Sequence, residues 1–339
     1  MEKPTKKTAD LMLKPFFDFI EKNNSFILTT HDPPDADGLG SELVCAFILK
    51  SQGKACRIIN ASPTPEHFLF MDPDHIIKYR KISDESGKPE DFPEKPSLII
   101  LDTSDEYNIG AVRELLGRVK DVMVIDHHQP GAAFTLPGII DSGAGSTCEI
   151  IVEAALEADL ELDNNTAMAA FTGIVYDTGS FAYAKTTLRT FNAALRLLER
   201  GVVPYEIHRN LNENASLGAL LLHKRVLSTL DFHCKGRVAV QVLRKEDMET
   251  TGAKFEDAES FINVPLKAKE IEVSLMIKET PEGEIRCSLR SKGRVNVSKI
   301  AQQFGGGGHV TAAGFRSGLG IEKTLEQALE TIESHLDIL

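Results

Sequence analysis

The sequence predicts an α/β protein: a doubly wound parallel-sheet domain followed by a smaller α+β domain, with a cleft between them. Three observations predict it. Up to Gly201, short runs rich in Ile, Leu and Val alternate with segments of helical periodicity, the pattern of a parallel sheet covered on both faces. Beyond Gly201 the runs turn to strand-like alternation of apolar and polar residues. The length, 339 residues, suits two domains of ordinary size.

The elements follow in order. Met1 to Asp10 is Lys-rich and polar and reads as a frayed lead-in. Phe26 to Thr30 is a strand, followed by a Pro/Asp/Gly loop and a helix over Leu39 to Gln52 that stops at Gly53. Arg57 to Asn60, Ser97 to Leu101 and Val122 to Ile125 are further strands. Helices fit Ile109 to Leu116, Thr147 to Ala158, Asn165 to Val175 and Leu188 to Arg200. Pro204 to Arg225 reads as a helical connector. Strands over Val226 to Phe232, Arg237 to Leu243, Ile271 to Lys278 and Glu284 to Arg290 then build the second domain, with helices over Val297 to Phe304 and Ile321 to Leu336. The expected division is 11–200 for the first domain, 201–225 for the connector and 226–339 for the second domain.

Composition excludes several classes. Apolar residues make up 42% and charged residues 26%, as in a soluble globular protein. No run approaches the ~20 apolar residues that span a bilayer, and the N-terminus lacks the apolar core of a signal peptide, so a cytoplasmic protein with no membrane partner is expected. Cys45, Cys56, Cys148, Cys234 and Cys287 are scattered among apolar neighbours and read as reduced thiols, not as a zinc site. A net charge of −12 argues against long duplex nucleic acid, which needs broad positive surface.

The chemistry is written at the strand ends. The first strand runs into His31, Asp35 and Asp37, the third into Asp102, and the fourth into Asp126, His127 and His128. In an open parallel sheet the carboxyl ends of the strands line one crevice, so these loops converge. Asp177 adds a fourth carboxylate after an apolar helix. Taken singly, an Asp after a strand is a turn or a helix cap. Asp35, Asp37, Asp102 and Asp177 together would repel strongly unless cations neutralised them. Mixed Asp and His ligands without thiolate suit two divalent ions, Mn²⁺ first, with Mg²⁺ and Co²⁺ as alternatives. Pro33 and Pro34 keep the first loop out of helix, and Asp35 and Asp37, two apart in that loop, can reach separate ions.

These segments resemble the motifs of the DHH phosphoesterase superfamily, and SLRSKGRVNVSKIAQQ followed by Phe304 to Phe315 (FGGGGHVTAAGF) resembles its companion DHHA1 domain. With no sensory or membrane segment, the chain looks most like the stand-alone NrnA type, which degrades short oligoribonucleotides and removes the 3′-phosphate of adenosine 3′,5′-bisphosphate. The resemblance implies that His31, Asp35 and Asp102 hold one ion, and that Asp37, Asp102, His127 and Asp177 hold the other. It implies that His128 contacts the scissile phosphate and that Asp126 orients a ligand histidine, so His128, Asp102 and Asp126 are expected at the chemistry. The implied reaction is direct hydrolysis by a metal-bridging hydroxide. The expected partners are short RNA oligonucleotides or mononucleotide bisphosphates, with a homodimer compatible with the family.

Gly305 to Gly308 before His309 could be a mere flexible turn. Between Glu284 and Arg316, however, stand six basic residues and one acid, so Arg290, Ser291, Gly306, Gly307, Gly308 and His309 are expected to form a phosphate-binding nest. Ser146 and Thr147 read as a helix cap, with a phosphate contact as the alternative. His67, His75, His208, His223, His233 and His335 have no ligand spacing. The alternatives to an oligoribonuclease are a phosphodiesterase for cyclic dinucleotides or for linear pApA, and a non-catalytic nucleotide-binding module. The latter has no need of four metal carboxylates.

Overall fold

The computed structural model describes residues 6–79, 95–129 and 136–336. Residues 1–5 of the expected lead-in lie outside them, but the rest of it belongs to a helix, α1 (Lys6–Lys22). That helix exists because Leu13, Phe16 and Ile20 fall on one face and are buried there. The chain divides into two compact units between Asn214 and Ala215.

The first unit contains β1 (Ser25–Thr29), α2 (Ala36–Ser51), β2 (Ala55–Asn60), β3 (Ile77–Tyr79), β4 (Ser97–Leu101), β5 (Val122–Asp126) and β6 (Gly138–Ile140). It continues with α3 (Thr147–Glu157), α4 (Asn164–Asp177), α5 (Leu188–Leu198) and α6 (Pro204–Asn212). Its six strands run in the order β3-β2-β1-β4-β5-β6, and every pair is parallel. Side chains leave each strand alternately. Phe26, Leu28, Ile99, Leu101, Met123 and Ile125 face the core shared with α1 to α4, whereas Ile27, Leu98, Ile100 and Val124 face a second core. That second core is closed by a 3-10 helix, Gly110–Leu115, where the sequence pattern suggests an α-helix. Chain order reverses between β1 and β4. The crevice for ligands in such a sheet lies at that reversal, and the loops carrying His31 and Asp102 both leave from it.

Two glycines set how closely the helices approach. A Cβ at Gly40 of α2 would meet Cys148 Sγ and the Ala169 carbonyl, and one at Gly173 of α4 would meet Cys148 Sγ and the Ala36 carbonyl. The thiol of α3 is thus wedged between α2 and α4. Among the described residues none of the five cysteines forms a disulfide.

The second unit contains α7 (Leu217–Ser228), β7 (Asp231–His233), β8 (Val238–Leu243), α8 (Lys245–Thr251), β9 (Val273–Glu279) and β10 (Ile285–Ser291). It ends with α9 (Val297–Gln303), β11 (Gly307–Gly308), β12 (Ala312–Ser317) and α10 (Ile321–Leu336). The sheet order is β11-β12-β10-β9-β8-β7. Only β8 and β9 pair in parallel, so this is the expected α+β type. Differences from the pattern reading have physical causes. Val226, expected to open a strand, is fully buried in α7. The single connector helix is interrupted because Ser216 caps α7 by accepting from the Ala219 N–H. Among the described residues no helix is long and apolar enough to cross a membrane.

Gly173→Ala places a methyl group against Cys148 Sγ and the start of α2. It should cost about 1–3 kcal/mol, seen as a fall of several degrees in the thermal midpoint; an unchanged midpoint would show that the helices part freely.

Candidate metal centre

The site is assembled by three devices. The first is the start of α2. Asp35 is its N-cap, and Oδ1 accepts from the N–H groups of Asp37 and Gly38, both at 3.0 Å. The helix therefore begins at Ala36, three residues before the predicted Leu39, and Asp37 sits in its first turn, not in the loop. The second device is the start of α3. Ser146 caps it, accepting from the Glu149 N–H at 3.0 Å. Its next two amides, Thr147 and Cys148, donate to Asp37 Oδ2 at 2.6 Å and Oδ1 at 2.8 Å, while the Thr147 hydroxyl donates to Asp102 Oδ1 at 2.9 Å. The anion held by this helix start is thus a carboxylate of the protein, and the contact with a phosphate considered for Ser146 and Thr147 is replaced by it. The third device is the end of β4, where Asp102 takes a left-handed φ of 62°, a conformation Asp tolerates better than most residues.

The expected residues come together. His31 Nε2 lies 3.5 Å from Asp35 Oδ1 and 3.5 Å from Asp102 Oδ2. His127 Nε2 lies 3.0 Å from Asp177 Oδ2, 3.6 Å from Asp102 Oδ1 and 3.9 Å from Asp37 Oδ2. Three groups have ligand atoms within 4.8 Å of one another: His31, Asp35, Asp102; Asp37, His127, Asp177; and Asp102, His127, His128. Asp102 therefore turns one oxygen to His31 and the other to His127. Asp126 binds His128, not His127: its Oδ1 accepts from the His128 N–H at 3.0 Å and lies 2.8 Å from His128 Nδ1. His128 itself is half exposed.

Electrostatics argue that a cation belongs here. Burial, with Asp37 next, pushes Asp102 well above the ordinary carboxylate range, and burial together with Asp177 raises Asp37. Burial would lower both histidines, but their carboxylate neighbours outweigh it, lifting His31 to about 11 and His127 to about 9. The cluster on its own thus favours bound protons. His127 Nε2, buried, has no hydrogen bond of acceptable geometry despite its closeness to Asp177. Crowded carboxylates and an orphaned imidazole nitrogen fit a divalent ion.

Several supporting residues carry no sequence signal. Asn60, at the end of β2, accepts at Oδ1 from the Thr30 N–H at 3.3 Å and the Thr29 hydroxyl at 3.4 Å, and donates to Glu42 Oε2 at 3.0 Å. It thereby fixes the backbone just before His31. Burial pushes Glu42 up to about 8 against that hydrogen bond. Lys185 follows no motif, yet its Nζ lies 3.5 Å from His127 Nδ1.

The second unit places the other expected residues differently. Among the described residues Arg290, half-buried on β10, donates to its neighbour's carbonyl, Leu289 O, at 3.1 Å. Ser291 is buried, and its hydroxyl donates to Val295 O at 2.7 Å, bracing a turn. The glycines do not form the expected open nest. The amides of Gly306 and His309 donate to Ala301 O and Ala312 O, and Gly307 and Gly308 pair with β12. Glycine is needed because a Cβ at Gly306 would run into Gly314 O and Phe315. His309 is exposed beside this hairpin.

Residues 25–174 match the DHH family, N-terminal domain, and residues 235–337 match the DHHA1 domain. The chain carries a DHH domain followed by a DHHA1 domain. It is accordingly a DHH-family phosphoesterase, a hydrolase whose acidic and imidazole groups are able to bind metal. It is 29% identical to the bifunctional oligoribonuclease and PAP phosphatase NrnA of Thermus thermophilus, over 91% of this chain and 89% of that one. It is 26% identical to the cyclic-di-AMP phosphodiesterase GdpP of Bacillus subtilis, over 99% of this chain but 52% of that longer protein. Among solved structures, an exopolyphosphatase-related protein from Bacteroides fragilis superposes with a TM-score of 0.87 at 26% identity, covering 98% of this chain and all of that one.

Two outcomes are expected. Because His31 and His127 must lose protons to bind a cation, Mn²⁺ binding should release protons and strengthen as pH rises towards about 9; calorimetry in buffers of different ionisation enthalpy measures this, and binding without proton release would contradict the cluster as described. Glu42 has a folded pKa raised from 4.5 to about 8, so its contribution to stability is complete below pH 4.5 and lost as pH rises through 8. Glu42→Gln should therefore gain on the parent by up to about 1.4 kcal/mol per pH unit across that window, read from denaturant melts.

Proposed function

We propose that this chain hydrolyses short oligoribonucleotides and the 3′-phosphate of adenosine 3′,5′-bisphosphate. One observation carries the reading: Asp102 turns its two oxygens to two separate sets of ligands at the reversal point of the sheet. His31, Asp35 and Asp102 Oδ2 would hold one ion, and Asp37, His127, Asp177 and Asp102 Oδ1 the other. Two divalent ions, Mn²⁺ by the mixed Asp/His donors, would supply Lewis acidity and a water of lowered pKa.

The chain's own residues do the rest. The α3 amides hold both oxygens of Asp37, and Thr147 holds Asp102, so neither carboxylate must be ordered when substrate arrives. Asp126 fixes the His128 ring through Nδ1, which leaves Nε2 for a phosphoryl oxygen. Arg290 and His309, with the exposed edge at Gly307 and Gly308, are proposed to bind the terminal phosphate of the nucleotide. Ser291 and Gly306 would support them through the turn and the hairpin they build.

Similarity over nearly the full length of both chains favours the substrates named for NrnA. A second reading, cleavage of cyclic dinucleotides or of pApA, is favoured by 26% identity with GdpP across 99% of this chain. The test is turnover of pApA, pAp, cyclic di-AMP and pyrophosphate with Mn²⁺. The expected result is cleavage of pApA and pAp. Turnover of cyclic di-AMP, or of pApA without pAp, would establish the second reading, and turnover of pyrophosphate alone would overturn both. Asp102→Ala should lower kcat by about 10³-fold or more, and retained activity would remove Asp102 from the centre. Arg290→Ala should raise KM roughly tenfold with little change in kcat.

A further inference from the structure

We propose that the loop after Asp177 carries a nucleotide subsite of its own, in which Tyr183 stacks on a base and Lys185 holds the adjoining phosphate. The proposal rests on the reading of this chain as an enzyme of short nucleotides.

The loop is built to present these two residues. It joins α4 to α5 and folds back on the residue after Asp177. The amides of Ala182 and Tyr183 both donate to Thr178 O at 3.0 Å, the Ser180 amide donates to Val175 O at 2.8 Å, and the Phe181 amide donates to Thr178 Oγ1 at 3.1 Å. Ser180 and Phe181 both have positive φ, 58° and 66°, a conformation held only when its surroundings define it. Phe181 turns inward, stacked on Phe191 with centroids 5.2 Å apart and edge-on to Phe171 at 6.0 Å. It anchors the loop. Tyr183 does the opposite and is 63% exposed. Its ring lies against Gly179, where any Cβ would collide with it. One side of the ring therefore rests on backbone. An exposed aromatic held in place in this way is a platform that loses little freedom when a base stacks on it.

Lys185 supplies the second half. Its stem is exposed, and its ammonium lies 3.5 Å from His127 Nδ1. That nitrogen also faces the Ala144 carbonyl at 3.4 Å. A carbonyl only accepts, so with Nε2 turned to the carboxylates and Nδ1–H to that carbonyl, the ammonium faces a second donor and has no side-chain acceptor of its own there. No carboxylate among the described residues forms an ion pair with Lys185. An ammonium beside the reacting centre that lacks an acceptor is matched by a phosphate oxygen. One residue, Ala184, separates Lys185 from Tyr183, within a turn closed by the Thr186 amide on the Tyr183 carbonyl at 3.0 Å, so one short turn presents both side chains.

The test uses the full-length protein in two assays: anisotropy of fluorescently labelled pApA with the protein in EDTA, and steady-state cleavage of pApA with Mn²⁺. Tyr183→Ala and Lys185→Gln should each weaken binding in EDTA roughly tenfold and raise KM more than they lower kcat. Tyr183→Phe, which keeps the ring, and Lys185→Arg, which keeps the charge, should stay within threefold of the parent. Tyr205→Ala, an equally exposed tyrosine on α6, serves as the control and should change nothing. Should Tyr183→Ala melt early, Tyr183→Leu keeps the bulk without the ring and must show the same loss. Parent-like affinity in both the Tyr183 and the Lys185 variants, in a protein that cleaves pApA, overturns the subsite and leaves the function standing. A parent protein that cleaves and binds no nucleotide overturns the function and the subsite with it.

Discussion

Asp37 is fully buried, and both of its oxygens are bound by the first two amides of α3. This contact joins the start of one helix to the start of another across a distance of 110 residues in the chain. A buried carboxylate without such partners would be costly; a helix start without an anion would leave amides unsatisfied. Each solves the problem of the other. The same turn of α3 places the Thr147 hydroxyl on Asp102, and Cys148, the next residue, is the wedge between α2 and α4. Packing of the first unit and geometry of its acidic cluster thus share one short segment.

The electrostatic balance around that contact is deliberately incomplete. Asp35 is held below its ordinary range because His31 and two backbone amides outweigh its burial, and Asp126 is held down in the same way by His128. Asp37 and Asp102 go the other way, since burial and neighbouring carboxylates dominate there. The groups split into those whose negative charge the protein stabilises and those that it hydrogen-bonds but leaves short of positive charge. The latter lie at the reversal point of the sheet, where the strand ends leave space for a ligand.

Much of this was legible in the sequence because the decisive residues follow strands. FILTT, SLIIL and VMVI are short, buried and β-branched or leucine-rich, and each ends in the acid or histidine it positions. His31, Asp35, Asp37, Asp102 and His127 could therefore be named before any coordinates, with Asp177 added as the acid that ends an apolar helix, and the structure brings them within reach of one another. What was hidden depends on contacts distant in sequence. Asn60 and Glu42 look like ordinary strand-end and helix residues until they meet beneath Thr30. Lys185 belongs to no motif. The glycine run misled for a related reason: its composition suits an open anion nest, but only the neighbouring strand shows that close packing against Gly314 and Phe315 requires glycine. Pattern reading detects periodicity and spacing. It does not detect a constraint imposed from the other side of a sheet.

The left-handed turn at Asp102 and the parallel order of β1, β4 and β5 have a consequence for assembly. Residues contributed by β1, β4, β5 and α4 meet only after every crossover between them has formed, and such long-range pairing is the slow part of folding. A fragment lacking any one of these segments has no complete binding cage to offer. An ion captured here selects the finished unit over every partly folded form, and by mass action holds it in that state. A cation bound here would therefore favour the unit in which all of these segments have met.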